Sequence, residues 1–261
     1  MKASPLTQQD QLESITLRAY RAVEQPEASA QFAEEQVKVL SDIGIGQVTK
    51  VTSTWREDPD VYVIAAEHSQ LGLVGGIRIH VSHSPEHPLP IETSVGKMDQ
   101  RVSTFVDRMA DGGIAEIGGL WNAHRFANRG LPMLLGMTAV SLASQLKVEC
   151  LIAVLARYTL RYATRLGLEV VEEVGEKGWF VYPKPGFWGI VMCTADPYSL
   201  DKARPDLRHR VISLRMRPSQ RHTEFTGVCY LDVQYQLELE RGVIGIHTYR
   251  DIRTEHLRFT A

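Results

Sequence analysis

The stretch from residue 114 to residue 132 holds the residue types that could bind a phosphorylated ligand. A predicted strand leads into a loop, and a long predicted helix, Leu131 to Leu146, begins directly after that loop. The loop residues that bring charge, an amide or backbone freedom are Arg125, Asn128, Arg129 and Gly130. A helix start exposes unpaired N–H groups and a partial positive charge, and glycine lets a ligand approach the backbone. Two arginines add charge-assisted contacts, so the pattern predicts a pyrophosphate site.

The composition is that of an ordinary globular protein. Of the 261 residues, 44% are hydrophobic and 23% charged, and the net charge of −2 gives no overall attraction to nucleic acid or anionic lipid. We find no apolar run near the ~20 residues of a membrane span and no signal peptide in the polar start, Met1 to Asp10. The three cysteines lack metal or disulfide spacing. We therefore expect a cytoplasmic protein without nucleic-acid or membrane partners.

The hydrophobic periodicity predicts helices and strands that would position this loop. The order strand, helix, strand in the middle of the chain requires a parallel crossover, whereas an early hairpin is antiparallel. This combination predicts a mixed α/β (α+β) fold with a twisted sheet and helices on both faces. The predicted helices cover residues 12–23, 28–40, 103–109, 131–146 and 158–166, and the predicted strands cover 61–66, 73–81, 114–121, 149–155, 170–174 and 187–193.

The residue composition changes at Asp196, which suggests a domain of residues 1–195 and an extension of residues 196–261. Lys202 to Arg221 is basic and predicts a solvated helix face. Val228 to Glu240 alternates apolar and polar residues, and we expect it to turn into a second strand at Val243 to Tyr249. This hairpin would pack on the main sheet or on a second subunit. In the second case the protein would be a homodimer.

The loop resembles the pyrophosphate loop of the GNAT superfamily of acyl-CoA N-acyltransferases. Its signature is Arg/Gln-x-x-Gly-x-Gly/Ala between a strand and a helix, and the matching stretch here is Ala127 to Pro132. Within it, Arg129-Gly130-Leu131 is similar to the common Arg-Gly-hydrophobic core. Ala127 replaces the usual Arg or Gln, and Pro132, which donates no N–H, replaces the usual Gly or Ala.

Further segments are similar to the branch of autoinducer synthases and N-acyl amino acid synthases. The helix that ends at Tyr162 to Leu168 resembles the family pattern Tyr-x-x-x-Gly-Phe, although the tyrosine is displaced by one residue. The other matching segments are Gly75 to Arg78, the Glu-Ile after Ala115, Val174-Gly175 and Tyr182-Pro183.

The resemblance implies direct transfer of an acyl group from acyl-CoA, or an acyl-carrier protein, to a small-molecule amine, with no metal. A bulge at Gly118-Gly119 would let the N–H of Leu120 or Trp121 stabilise the oxyanion. Glu116 would be the general base, with His124 as the second candidate, and Tyr162 or Tyr158 would protonate the leaving thiolate. The residues expected to contact the coenzyme are Leu120, Trp121, Arg125, Asn128, Arg129, Gly130 and Leu131.

Other interpretations of these residues stay open at this point. Glu116 could form a structural ion pair, and Tyr162 could simply pack in its helix. His80, His83 and His87 could suggest zinc, but no carboxylate or cysteine has matching spacing. The alternative functions are a catalytically inactive acyl-CoA-binding or sensor module, and an unrelated α/β enzyme that binds another phosphorylated ligand.

Overall fold

The computed structural model describes residues 12–45, 53–82 and 88–239, and these ranges form a mixed sheet with helices on both faces. The strands are β1 (Ser14–Arg21), β2 (Val61–His68), β3 (Gly72–Val81), β4 (Ile114–Asn122), β5 (Cys150–Ala156), β6 (Glu169–Val170), β7 (Trp179–Val181), β8 (Trp188–Thr194), β9 (Ser219–Phe225) and β10 (Tyr230–Gln236). The α-helices are α1 (Pro26–Asp42), α2 (Pro90–Thr93), α3 (Arg101–Met109), α4 (Leu131–Leu146), α5 (Leu160–Arg165) and α6 (Pro205–Met216).

The sheet places β4 and β5 near its centre, as the predicted crossover requires. The strand order is β6-β8-β5-β4-β3-β2-β1-β10-β9, and β7 pairs with β8. Strands β2 and β3 form the predicted antiparallel hairpin, and β4 and β5 are parallel and joined through α4. The mixed α/β fold is therefore confirmed. The prediction of a strand over 170–174 was too long, because β6 ends at Val170, and β7 was not predicted.

The first predicted helix is wrong, because residues 14–21 form β1. Ile15, Leu17 and Ala19 are buried and alternate with half-buried Thr16 and Arg18, which is the period of a strand. This strand pairs with β2 on one side and β10 on the other. The sheet partners, which come from distant parts of the chain, override the local helical spacing. The second predicted helix is confirmed as α1.

The largest core cluster lies on the face of the sheet covered by α4 and α6. Helix α4 was predicted to be amphipathic, but it is buried on nearly all sides because α6 covers the surface that the sheet leaves free. Val211 and Leu214 of α6 belong to the same cluster. Two smaller clusters lie on the opposite face, one under α1 and the 3-10 turn at Trp55, the other under α2 and α3.

The C-terminal hairpin is built from β9 and β10, and it extends the main sheet by parallel pairing of β10 with β1. The predicted alternation in β10 is correct, since Leu231, Val233 and Tyr235 are buried. Its hairpin partner is the preceding strand β9, while the expected partner at 243–249 lies outside the described residues. The division of the chain at 195/196 stays a prediction. Within the described ranges, no helix is long and apolar enough to cross a membrane.

Candidate active site

Glu116 is a buried carboxyl group in the middle of the sheet. One carboxylate oxygen, Oε2, accepts a hydrogen bond of 2.6 Å from the backbone N–H of Ile91 in α2. The other oxygen, Oε1, faces the Cα of Gly118, since it would lie 3.6 Å from a Cβ built there. Burial raises the pKa of Glu116 to about 8, against the opposing effects of the Ile91 N–H and the positive charge of Arg78. A carboxyl group of this kind can accept a proton near neutral pH.

The two parallel strands at the centre of the sheet separate directly after Glu116. Their pairing starts at Ile114 and Cys150 and ends at Glu116 and Ile152. Beyond this point β4 continues to Asn122 and β5 to Ala156 without pairing to each other. We call the space between the separated ends of β4 and β5 the cleft.

A β-bulge occurs in β4 at the predicted glycine pair. Gly118 pairs with Arg78 and Trp121 pairs with Gly76, so two residues, Gly119 and Leu120, oppose the single residue Ile77. Gly119 has a φ of +63°, which favours glycine. The Gln36 side chain of α1 donates a hydrogen bond of 2.7 Å to the Gly119 carbonyl oxygen and fixes this conformation. A bulge redirects backbone groups out of the ladder, as an oxyanion-binding N–H requires.

Three polar side chains that the sequence analysis did not assign to the site surround Glu116. His80 lies opposite Glu116 in the β3–β4 register, and burial together with Arg78 lowers its pKa to about 3, so this imidazole is neutral at pH 7. Tyr182 lies close enough to Ser94 and Glu116 to interact with both side chains, and burial raises its pKa. The third side chain is Arg78. Arg78 and His80 alternate with isoleucines in an apolar strand, and this spacing could have indicated a shared polar face.

The predicted pyrophosphate loop forms the start of α4. Gly130 is the N-cap in a left-handed conformation with φ of +71°, and no side chain caps the first turn. The first turn of α4 therefore lacks a side-chain acceptor, which suits an anion. Thr226, from the turn between β9 and β10, packs directly against Gly130, because a Cβ there would lie 2.5 Å from the Thr226 Cβ.

The two loop arginines make contacts inside the protein. Arg125 forms an ion pair of 2.8 Å with Glu35 of α1 and donates to backbone carbonyl groups of Leu71 and Leu73. Arg129 forms an ion pair with Glu13 and stacks 4.8 Å over the ring of Phe126. Both arginines therefore brace the loop against neighbouring elements.

The remaining predicted contact residues differ in exposure. Leu120 is half-buried, whereas Trp121 is buried and packs edge-on against Phe32 with 5.5 Å between ring centroids. Asn128 is exposed with φ of +60°, and Leu131 is fully buried. The Trp121 side chain belongs to the core, so its indole ring is not a surface for a ligand.

The other two proposed catalytic side chains lie on separate elements. His124 follows the end of β4 and approaches Asp42 of α1 at 3.6 Å. Roughly 20 Å of strand, at about 3.3 Å per residue, separates His124 from Glu116. The two side chains therefore cannot accept a proton from the same substrate atom. Tyr162 lies on α5, half-buried, and its hydroxyl accepts a hydrogen bond of 2.7 Å from Arg161. Tyr158, the other candidate acid, is 73% exposed.

No group of three or more potential ligand side chains that could hold a metal ion occurs in the part of the chain that the structure describes. His80, the first residue of the histidine group, lies on β3 beside Arg78 and Glu116. His83 and His87 lie outside the described residues.

Comparison with known proteins shows which solved structures have a similar fold. No model of a protein family matches the sequence, and no curated protein matches it either. Among solved structures, FeeM, an N-acyl amino acid synthase from uncultured soil microbes, superimposes with a TM-score of 0.53 at 14% identity, over 73% of this chain and 96% of FeeM. BjaI, a CoA-dependent acyl-homoserine lactone synthase solved with SAM and isopentyl-CoA, gives a TM-score of 0.51 at 13% identity, over 79% of this chain and 92% of BjaI.

These similarities define the fold of the chain. It is the GNAT fold, which FeeM and BjaI share. At identities of 13–14% the likeness concerns the fold, and the chemistry must be argued from the site itself.

Proposed function

We propose that this protein transfers an acyl group from an acyl-CoA to the amine of a small molecule by direct attack. The observation that carries this proposal is the position of Glu116, a buried carboxyl group with a pKa of about 8, at the point where β4 and β5 separate beside a glycine bulge. The solved structures of similar fold include a CoA-dependent synthase, which supports a thioester of coenzyme A as the donor. An acyl-carrier protein is the alternative donor.

In the proposed reaction, Glu116 takes a proton from the acceptor ammonium group, directly or through a water molecule. The freed amine nitrogen attacks the thioester carbonyl carbon and forms a tetrahedral intermediate. A backbone N–H at the bulge, from Leu120 or Trp121, stabilises the oxyanion. As the C–S bond breaks, the nitrogen loses its remaining ammonium proton to water, and the leaving thiolate takes a proton from Tyr162 or Tyr158. The tyrosine then regains a proton from solvent, and Glu116 releases its proton to solvent. The products are an amide and free coenzyme A.

The donor would lie with its acyl chain in the cleft and its pyrophosphate at the start of α4. The uncapped first turn and Gly130 support the phosphate site. Because Arg125 and Arg129 are engaged in ion pairs, backbone N–H groups would supply most of the contacts to the phosphates.

The first experiment combines a thermal-shift panel with an assay of CoA release. CoA, acetyl-CoA and longer acyl-CoAs are compared with ATP and NAD, and a ligand at a hundred times its Kd should stabilise the folded protein by about 2.7 kcal/mol. Acyl-CoAs that stabilise the protein are then incubated with a panel of amines. We expect CoA release that depends on an amine, and no stabilisation by ATP or NAD.

The variant Glu116→Gln separates a catalytic from a binding role. It should lose turnover by about 10²–10⁴-fold, the usual contribution of a general base, while the acyl-CoA thermal shift is kept. Glu67→Gln is the matched control, since Glu67 is also a carboxylate on a strand. It lies away from the cleft and forms an ion pair of 2.9 Å with Arg18. Stabilisation by acyl-CoA without amine-dependent release would instead support the sensor module.

A further inference from the structure

Three arginines that follow the end of β5 share one exposed face, and we call them the arginine stripe. Arg157 precedes α5, while Arg161 and Arg165 lie within it, and a spacing of four residues places side chains on one side of a helix. In the described part of the chain, none of the three forms an ion pair with a carboxylate. Arg161 instead stacks 4.7 Å above the ring of Tyr162. Like charges at this spacing repel each other, so the local helix gains no stability from the stripe.

The basic run that includes α6 lies beside the stripe but is neutralised. The backbone N–H at its start, on Arg204, donates to the carbonyl oxygen of Arg165, so the two segments are in contact. The first cations of this run each have a carboxylate partner, in the ion pairs Lys202–Glu169 at 3.9 Å, Arg204–Asp206 at 3.0 Å and Arg208–Asp201 at 3.1 Å. The arginine stripe differs because, over the described ranges, carboxylates do not balance its charge.

Exposed aromatic and apolar side chains lie next to the stripe. The last β5 residue pairs with the β8 residue that follows Trp188, so Trp188 lies beside Arg157. The Trp188 side chain is 49% exposed, and Val181, its partner in the β7–β8 ladder, is exposed as well. Ile190, two residues after Trp188, belongs to the same core cluster as residues of α5, so Trp188 and α5 lie on one face of the sheet. Tyr158 is also exposed. Cations and amphipathic rings therefore share one surface.

We propose that the arginine stripe, together with Trp188 and Tyr158, binds the surface of an anionic lipid bilayer. Arginines on a protein surface attract anionic headgroups, and tryptophan and tyrosine rings lie at the headgroup level with the apolar part towards the acyl chains. The net charge of the protein is −2, but a Debye length of about 8 Å limits the influence of distant charges on the stripe.

The aromatic side chains favour a bilayer over an acidic protein, since an acidic protein surface needs the cations alone. The stripe begins directly after β5, so it lies at the same end of the sheet as the cleft. The proposed surface does not depend on the proposed acyl transfer, because none of the three arginines takes part in that reaction.

Co-sedimentation with vesicles tests the proposal. The wild-type protein should bind phosphatidylcholine vesicles that contain about 30% phosphatidylglycerol at least tenfold more tightly than vesicles of phosphatidylcholine alone, and added salt should release it. The triple variant Arg157→Gln, Arg161→Gln, Arg165→Gln should lower the partition coefficient about 100-fold, at about fivefold for each cation. The matched control removes three exposed arginines on α3 and β9 and should lower it by less than about threefold, through Arg101→Gln, Arg108→Gln and Arg221→Gln.

Tryptophan fluorescence locates the contact with the bilayer. Two of the four tryptophans, Trp55 and Trp121, are buried, so brominated phosphatidylcholine in the anionic vesicles should quench mainly Trp188. The variant Trp188→Phe should lose this quenching. Absence of binding to anionic vesicles, equal losses in the two triple variants, or binding of an acidic carrier protein but of no vesicle would each overturn the proposal. Thermal unfolding shows whether each variant is folded, and CoA release in vesicle-free buffer tests the acyl transfer separately.

Discussion

Replacement of Glu116 by glutamine should stabilise the folded protein while it removes catalysis. Glutamine has nearly the same volume, and its side-chain oxygen can accept the hydrogen bond that Ile91 donates at 2.6 Å. The folded protein holds the pKa of Glu116 at about 8, whereas an unperturbed carboxyl group has a value of 4.5. At 1.36 kcal/mol per pKa unit, the ionised carboxylate costs up to about 5 kcal/mol of stability above pH 8.

The direction in which stability changes with pH follows from proton binding. Between pH 4.5 and 8 the folded protein keeps a proton on Glu116 that the unfolded chain has released. The free energy of unfolding therefore falls as the pH rises through this window, and it becomes constant above pH 8 with respect to this group. The glutamine variant does not titrate, so its advantage over the wild type should be near zero at pH 4.5 and largest at pH 8 to 9.

Urea unfolding at pH 5, 7 and 9 measures this difference, with Glu67→Gln as the control for loss of a strand carboxylate. In parallel, kcat/KM of the wild type should rise with pH, reach half its maximum near pH 8 and level off above it, because the free carboxylate is the active form. If the glutamine variant is less stable than the wild type at pH 9, Glu116 is stabilised as an anion and cannot be the proton acceptor described above. A flat pH profile of kcat/KM would refute the reasoning from the side of catalysis.

Three further outcomes test the elements around the site. Gly119→Ala should destabilise the protein by about 1–3 kcal/mol in urea unfolding and lower kcat/KM, since φ is +63° and the new Cβ would lie 2.6 Å from Arg78 Nε. Gly130→Ala should weaken acyl-CoA binding and stability through its clash with Thr226, and the double variant with Thr226→Gly should recover part of the stability but not the cost of φ at +71°. Tyr162→Phe should reduce kcat by at least about tenfold if this hydroxyl protonates the thiolate, and a change below twofold would leave it a packing residue.

Local patterns in the sequence were sufficient for several parts of the site. The run from Ile114 to Leu146 predicted a strand, a glycine bulge and a helix, and each was found at the expected residues. Glu116 was predicted as the base from its place on the strand just before the glycine pair, as the resemblance implied. The resemblance to GNAT loops depended on this same stretch, and the fold bears it out.

Other features depended on contacts between distant segments. Residues 14–21 have a spacing that also fits a helix, and pairing with β2 and β10 makes them a strand. The pairing of β10 with β9 was not predicted, because the alternation in one strand does not show which segment pairs with it. The contacts of Arg125 with Glu35 and of Gly130 with Thr226 join positions far apart in sequence, so no local pattern could predict them.

The sequence alone determined the order of the central elements, the bulge at Gly118-Gly119 and the carboxylate of Glu116, because these follow from short-range periodicity and from the backbone freedom of glycine. Only the tertiary structure decided which side chains meet that carboxylate. Register between β3 and β4 brings Arg78 and His80 to Glu116, and the packing of the loop from β7 to β8 brings Tyr182. Burial then sets the protonation of Glu116, since the cost of a charge depends on how completely the folded chain excludes water from it.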